Sequence, residues 1–194
     1  MSLSDAQTGH FIAAYALGVV FGAPILVALS SKYNPKRILM GLMLLFTIFN
    51  GISALMPDYY SFLVARFFSG LPHGAFFGVG AIIAKYLAPK GKEAIAISVM
   101  FGGLTLAILL MVPLLTFFGN MIHWRLAMGI VASLGLITFL SIWFFLPNVE
   151  REGKLGIKKE IITFFGAKSV LVLIITIFGC SGLFAWFSYI QPLM

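Results

Sequence analysis

The stretch LVARFFSGLPHGAFFGVGA, residues Leu63 to Ala81, sets an arginine, a serine and a histidine into an otherwise apolar run. Arg66, Ser69 and His73 are three and four residues apart, the spacing that projects side chains from one face of a single helix. The run is long enough to cross a hydrocarbon layer about 30 Å thick, which takes roughly 20 residues in a helix. Its reading therefore decides the fold: a transmembrane helix with one polar face needs neighbours to shield that face from lipid.

The whole chain supports this reading. Of 194 residues, 61% are hydrophobic and 10% charged, with 20 Phe and 20 Gly, more apolar matter than a water-soluble domain of this size can hide in one core. Six stretches meet the length of a crossing: Gly9–Ser30, Ile38–Met56, Ser61–Ala84, Ala94–Gly119, Leu126–Leu146 and Ser169–Ile190. Strand alternation is absent, so the backbone hydrogen bonds must be satisfied within helices. The fold class is an all-α polytopic membrane protein with six transmembrane helices.

A net charge of +7 invites a nucleic-acid reading, but the cations alternate by loop. Lys32, Lys36 and Arg37 follow the first segment, Lys85, Lys90 and Lys92 the third, and Arg151, Lys154, Lys158, Lys159 and Lys168 the fifth. Eleven of thirteen Lys and Arg thus fall on one side, which the positive-inside rule makes cytoplasmic, and both termini of this chain are expected outside. No nucleic-acid partner is expected. Cys180 is the single cysteine, so no disulfide framework exists. Ser4 and Gln7 read as a helix-starting capping box rather than part of a targeting signal.

Short connections pair neighbouring helices into one compact bundle. The long exception, residues 147–168, carries LGIKKEIITFF, which reads equally as an interfacial amphipathic helix or a solvated linker. Gly18 and Gly22, and Gly70, Gly74 and Gly78, recur four apart, as close helix packing in lipid requires. Pro24, Pro72 and Pro113 each remove a backbone hydrogen bond within a segment, and kinks are expected there.

An arginine in mid-membrane costs from about 2.5 kcal/mol on insertion scales to above 10 for an isolated helix. All six acidic residues, Asp5, Asp58, Glu93, Glu150, Glu152 and Glu160, fall in loops or at segment ends. Compensation for Arg66 must come from freed carbonyls such as that of Phe68 opposite Pro72, cavity water, an anionic ligand or a helix outside this chain; alternatively, Arg66 snorkels to the outer headgroups. His73 lies deeper and suits either a proton-linked step or a neutral, hydrogen-bonded helix contact. An intramembrane hydrolase needs a base on a different helix from its serine, which Ser69 and His73 do not provide, so no enzyme is expected. No cofactor or metal is expected.

LVARFFSGLPHGAFFGVGA resembles motif B in the fourth helix of major facilitator superfamily transporters, and in particular the bacterial drug and sugar efflux, arabinose-efflux-like branch. By that resemblance Arg66 is the motif's arginine, implicated in proton coupling, and Gly70 its glycine. AYALGVVFGAP is similar to the second helix, and LSSKYNPKRIL stands where motif A forms a gating loop. There Lys32, Lys36 and Arg37 keep the basic side, Ser31 stands at the aspartate position and Asn34 at the glycine, where a left-handed turn is open to it. GGLTLAILLMVPLLTFFGNMIHWR resembles motif C of antiporters, with Pro113 and Gly119 matching and Met111 and Leu115 in place of packing glycines.

The resemblance implies helices two to seven of a twelve-helix transporter. Residues 1–146 would be an N-terminal half without its first helix, 147–168 the cytoplasmic linker between halves, and 169–194 the first helix of the C-terminal half. The implied function is proton-coupled efflux of a sugar-like or small amphipathic solute by alternating access across a bacterial inner membrane. Solute, protons, membrane lipid and the missing helices are the implied partners, and the 194-residue polypeptide alone is not expected to transport. A non-transporting remnant or interaction protein, and an uptake permease of the same family, are the alternatives.

Overall fold

The computed structural model describes residues 5–30, 33–149, 166, 170–172, 174–179 and 181–182. The chain divides into two compact units, Met1–Glu152 and Gly153–Met194. Among the described residues the secondary structure is helical, without a strand. In the second unit, Val170–Gly179 forms a short apolar helix, and the Val170 N–H donates to the Gly166 carbonyl at 3.0 Å. Cys180 and the 150–165 portion of the expected linker lie outside the described residues.

The first unit runs α1 (Asp5–Ser30), α2 (Pro35–Leu55), α3 (Tyr59–Leu87), α4 (Glu93–Leu106), a π-helical turn (Ala107–Met111), α5 (Val112–Met121) and α6 (Trp124–Phe145). Among the described residues, five spans are long and apolar enough to cross a membrane: Gln7–Val27, Pro35–Leu55, Tyr59–Leu87, Glu93–Gly119 and Trp124–Phe145. They match the first five segments read from the sequence.

Local chemistry sets the boundaries. Asn34 caps α2 by accepting from the Lys36 backbone N–H at 2.9 Å, and Pro35 occupies the first turn, where its missing N–H costs nothing. The left-handed turn open to Asn34 does not form: its φ is −61° and ψ 127°. The proline ring that follows confines the residue before it to the extended region, so Pro35 overrides the preference expected of asparagine. Asp58 caps α3 by accepting from the Ser61 N–H at 2.9 Å, and the Ser61 hydroxyl donates to the same carboxylate at 2.8 Å. At α6 the His123 ring accepts from the Arg125 N–H at 3.2 Å.

The prolines act differently from one another. α1 and α3 continue through Pro24 and Pro72, whereas Pro113 is preceded by the π turn. Without a Pro113 N–H the Leu109 carbonyl has no partner four residues on, and the wider i to i+5 pattern takes up the mismatch over Ala107–Met111.

α3 is the central helix, packing along α1 and α2 and touching α4; α2 also packs on α6. Leu39, Leu42 and Met43 of α2, Ala75, Val79 and Ile83 of α3, Ile142 of α6 and Val149 form one buried cluster. The α1–α3 contact is backbone against backbone. A Cβ added at Gly18 would stand 2.0 Å from the Phe67 carbonyl oxygen, one at Gly22 2.2 Å from that of Leu71, and one at Gly70 2.2 Å from that of Tyr15. Small-residue packing therefore joins these two helices, as the four-residue spacing predicts. Gly78 has only an ordinary 3.6 Å contact with Val27 in prospect.

Candidate functional site

Because Gly70 admits the Tyr15 backbone so closely, the Tyr15 side chain reaches two polar residues of α3 at once. The Arg66 guanidinium carbon lies over its ring, 4.4 Å from the centroid. Two turns further along α3, the Tyr15 hydroxyl and His73 Nδ1 share a hydrogen bond of 2.9 Å, with the two rings edge to face at 71°. The aromatic face offsets part of the cost of the arginine charge, about 0.5 to 2 kcal/mol for such a pair.

Asn50 of α2 supplies the second partner. Its amide N–H donates to the Phe46 carbonyl at 2.8 Å, which turns Oδ1 towards Arg66 Nη1 at a long 3.4 Å. Asn50 is 1% exposed, so both ends of its amide need those partners. Three helices thus converge on Arg66, and the Tyr15 ring and the Asn50 amide oxygen are partners that none of the compensations expected from the sequence had named.

Arg66 also forms part of the wall of a cleft of about 460 Å³ between α1, α3 and α6, lined otherwise by Thr8, Phe11, Ile12, Phe62, Trp124 and Met128. Its edges are aromatic: Phe11 and Phe62 meet at 4.6 Å, and Phe62 and Trp124 at 5.1 Å. His73 lines a smaller cavity of about 170 Å³, among Leu42, Met43 and Phe46 of α2 and Phe76 and Phe77 of its own helix.

The remaining residues singled out in the sequence take other places. Ser69 is fully buried, and its hydroxyl donates to the Arg66 carbonyl at 2.8 Å, so it closes a turn of its own helix. Gly70 is the point of closest approach to α1. Pro113 is exposed beside the π turn, and Gly119 faces the Ala127 methyl of α6. Ser31 and Lys32 lie outside the described residues, and Arg37 is exposed.

Lys36 has a role that its position in the loop did not announce. Its ammonium donates to the carbonyls of Trp143, at 3.0 Å, and Leu146, capping the C-terminus of α6 from the start of α2. At the opposite end of the bundle, Arg125 donates to the Met56 carbonyl at 3.0 Å, and the His10 ring bonds the Tyr59 hydroxyl at 2.6 Å.

Tyr15 and Asn50 are the site residues that sequence reasoning missed. Each carried a signal: Tyr15 lies three residues before Gly18 in the helix whose glycines oppose those of α3, and Asn50 is the one amide side chain in its segment.

Comparison with known proteins follows the same lines. The family model for the Major Facilitator Superfamily matches residues 1–194. The chain is 38% identical over 194 residues to the Escherichia coli protein named "Putative transporter AraJ", covering all of this chain and 49% of that protein. It is 37% identical to "Inner membrane transport protein YdhP" of the same organism, covering all of this chain and 50% of the relative. Against the Helicobacter pylori protein named "Probable sugar efflux transporter" it is 28% identical over 190 residues, 98% of this chain and 49% of the relative. The chain spans about half the length of the curated relatives it matches. The chain belongs to the Major Facilitator Superfamily, a family of transporters rather than enzymes.

Proposed function

We propose that this chain forms part of a secondary transporter of a bacterial inner membrane that exports a sugar-like or small amphipathic solute against an inward flow of protons. In this reading, residues 1–146 belong to the N-terminal half, 147–168 link the halves on the cytoplasmic side, and 169–194 begin the C-terminal half, with both ends of the chain outside. The halves rock about a midplane site in alternating access. One relative is named for sugar efflux and another for transport at the inner membrane, which supports the direction and the compartment.

The observation that carries the reading is the position of Arg66. A permanent cation sits where three helices meet, beside Tyr15 and Asn50, and borders a cleft of about 460 Å³. An ionisable side chain held towards the bundle interior at such a cost marks an ion or solute path by default. An aromatic rim with one cation suits a solute that has both an apolar face and polar groups. Tyr15, His73, Ser69 and Gly70 support Arg66, and the cytoplasmic gate is assigned to Ser31, Lys32 and Asn34 together with Lys36 and Arg37 at the start of α2. Pro113 and Gly119 lie on the helix that resembles the antiporter motif.

The test is transport by the whole protein in sealed vesicles holding a pH-sensitive dye. Export coupled to proton entry predicts that a solute gradient alone changes lumen pH, in the direction opposite to solute movement. Solute flux with no pH change would remove proton coupling, and solute and protons moving the same way would make the protein a symporter.

A further inference from the structure

One side chain serves both ionisable residues of the α3 face, and this arrangement has a consequence for proton movement. Tyr15 touches Arg66 through its ring, at 4.4 Å, and His73 through its hydroxyl, at 2.9 Å, so Arg66 and His73 are joined through a residue of another helix. Around His73, α1 presents Tyr15, α2 presents Leu42, Met43 and Phe46, and α3 itself presents Phe76 and Phe77. α4 reaches this group through Phe101, stacked on Phe77 at 5.5 Å. Among the described residues, the titratable or charged groups facing His73 from these elements are therefore Tyr15 and, across the same ring, Arg66.

We propose that Tyr15 is the positioning residue of this site, holding Arg66 on its ring face and His73 on its hydroxyl, so that proton uptake by His73 frees Arg66 from the ring.

The chemistry follows from the donor inventory. The proposal assigns neutral His73 the tautomer with its proton on Nε2, so that Nδ1 accepts from the Tyr15 O–H. A proton delivered by water adds to Nδ1. That N–H then donates to the Tyr15 oxygen, and the Tyr15 O–H turns away without leaving the oxygen. No covalent bond other than the new N–H is made. Two cations then flank one aromatic ring, and like charges so placed disfavour each other. Arg66 has the more room to move, because the cleft it borders is about 460 Å³ against about 170 Å³ beside His73. Its movement would change the charge of that wall with each proton bound. The inference rests on the transporter reading only for the consequence that this movement is used in transport.

The experiment is NMR of the whole protein in lipid nanodiscs, with 15N-labelled histidine and arginine, between pH 8 and pH 5. At pH 8, the Arg66 side-chain N–H proton is expected upfield, shifted by the Tyr15 ring, and His73 Nδ1 should show the signature of an acceptor. At pH 5, the upfield shift should be lost. In Tyr15→Phe the ring remains, so the Arg66 shift at pH 8 is kept while the acceptor signature at Nδ1 disappears. In Tyr15→Leu the Arg66 shift is absent at both pH values. In His73→Gln the Arg66 shift should persist at pH 5. An Arg66 signal at its ordinary position in the unaltered protein at pH 8, or an unchanged pH response in His73→Gln, would overturn the proposal. Because these signals do not depend on solute movement, a protein that shows them and transports nothing refutes the transporter reading alone.

Discussion

The Tyr15 ring of α1 lies 4.4 Å from the guanidinium carbon of Arg66 on α3, and the backbones that carry them touch at Gly70. The contact between backbones creates the contact between side chains. A helix pair joined through bulky residues would hold the tyrosine too far away to share the arginine's charge.

Gly70→Ala tests that dependence. The new methyl would meet the Tyr15 carbonyl oxygen at 2.2 Å, so the helices must separate, at a cost of about 1 to 3 kcal/mol by analogy with overpacked cores. A lowered melting temperature in detergent is expected, together with loss of the Arg66 ring-current shift. Gly41→Ala is the control: nothing lies within 4 Å of its new methyl, and stability should hold or rise.

Asn50 should matter through charge rather than through volume. Asn50→Leu leaves the Arg66 guanidinium without its amide acceptor, and about 1 to 3 kcal/mol of stability should be lost. Asn50→Asp places a carboxylate at the same position, which should keep the fold but pin Arg66. The expected result is a melting temperature at or above that of the unaltered protein, with coupled transport lost. Unchanged transport in Asn50→Asp would show that Arg66 does not need to move.

The Asp58 cap gives a pH dependence with a definite sign. The Ser61 backbone N–H, with help from its hydroxyl, holds the Asp58 carboxyl below its ordinary range. A depressed carboxylate contributes stability that is present above its unfolded value near 4 and is lost as pH falls through the folded one. Amide exchange over Tyr59–Phe62, corrected for its intrinsic pH dependence, should therefore gain an acid-dependent component below about pH 4. Asp58→Asn, which caps without titrating, should lack it.

Lys36→Met removes the ammonium that caps α6. Such a charge at a helix C-terminus contributes about 0.3 to 1 kcal/mol, so amide exchange over Ile142–Val149 should rise roughly two- to fivefold, while that of α3 stays unchanged. Equal exchange in both proteins would mean that the capping contacts contribute nothing in solution.

Five crossings and the polar face of α3 were legible in the sequence because length and helical period act along one chain. Arg66 and His73 stood out as ionisable groups in an apolar helix. Their partners were harder to see, since Tyr15 and Asn50 become neighbours of Arg66 only through the registers of α1 and α2 against α3. Ser69 shares the spacing of Arg66 and His73, yet its short hydroxyl reaches its own helix first and spends its hydrogen bond there. Asn34 was read by residue type, whereas the proline after it decides its backbone. The π turn has a cause visible in the sequence, Pro113, but proline alone does not select between a kink and a widened turn.

The most direct test of the account is coupled transport by Arg66→Gln in the whole protein, measured in sealed vesicles at matched protein level. The substitution removes the charge and shortens the side chain, leaving an amide that can still hydrogen-bond. Coupled flux should fall by about tenfold or more, the equivalent of at least 1.4 kcal/mol, while the protein level and the melting temperature are retained. Coupled flux equal to that of the unaltered protein would contradict the account, because the charge at this meeting point of three helices would then have no part in moving solute.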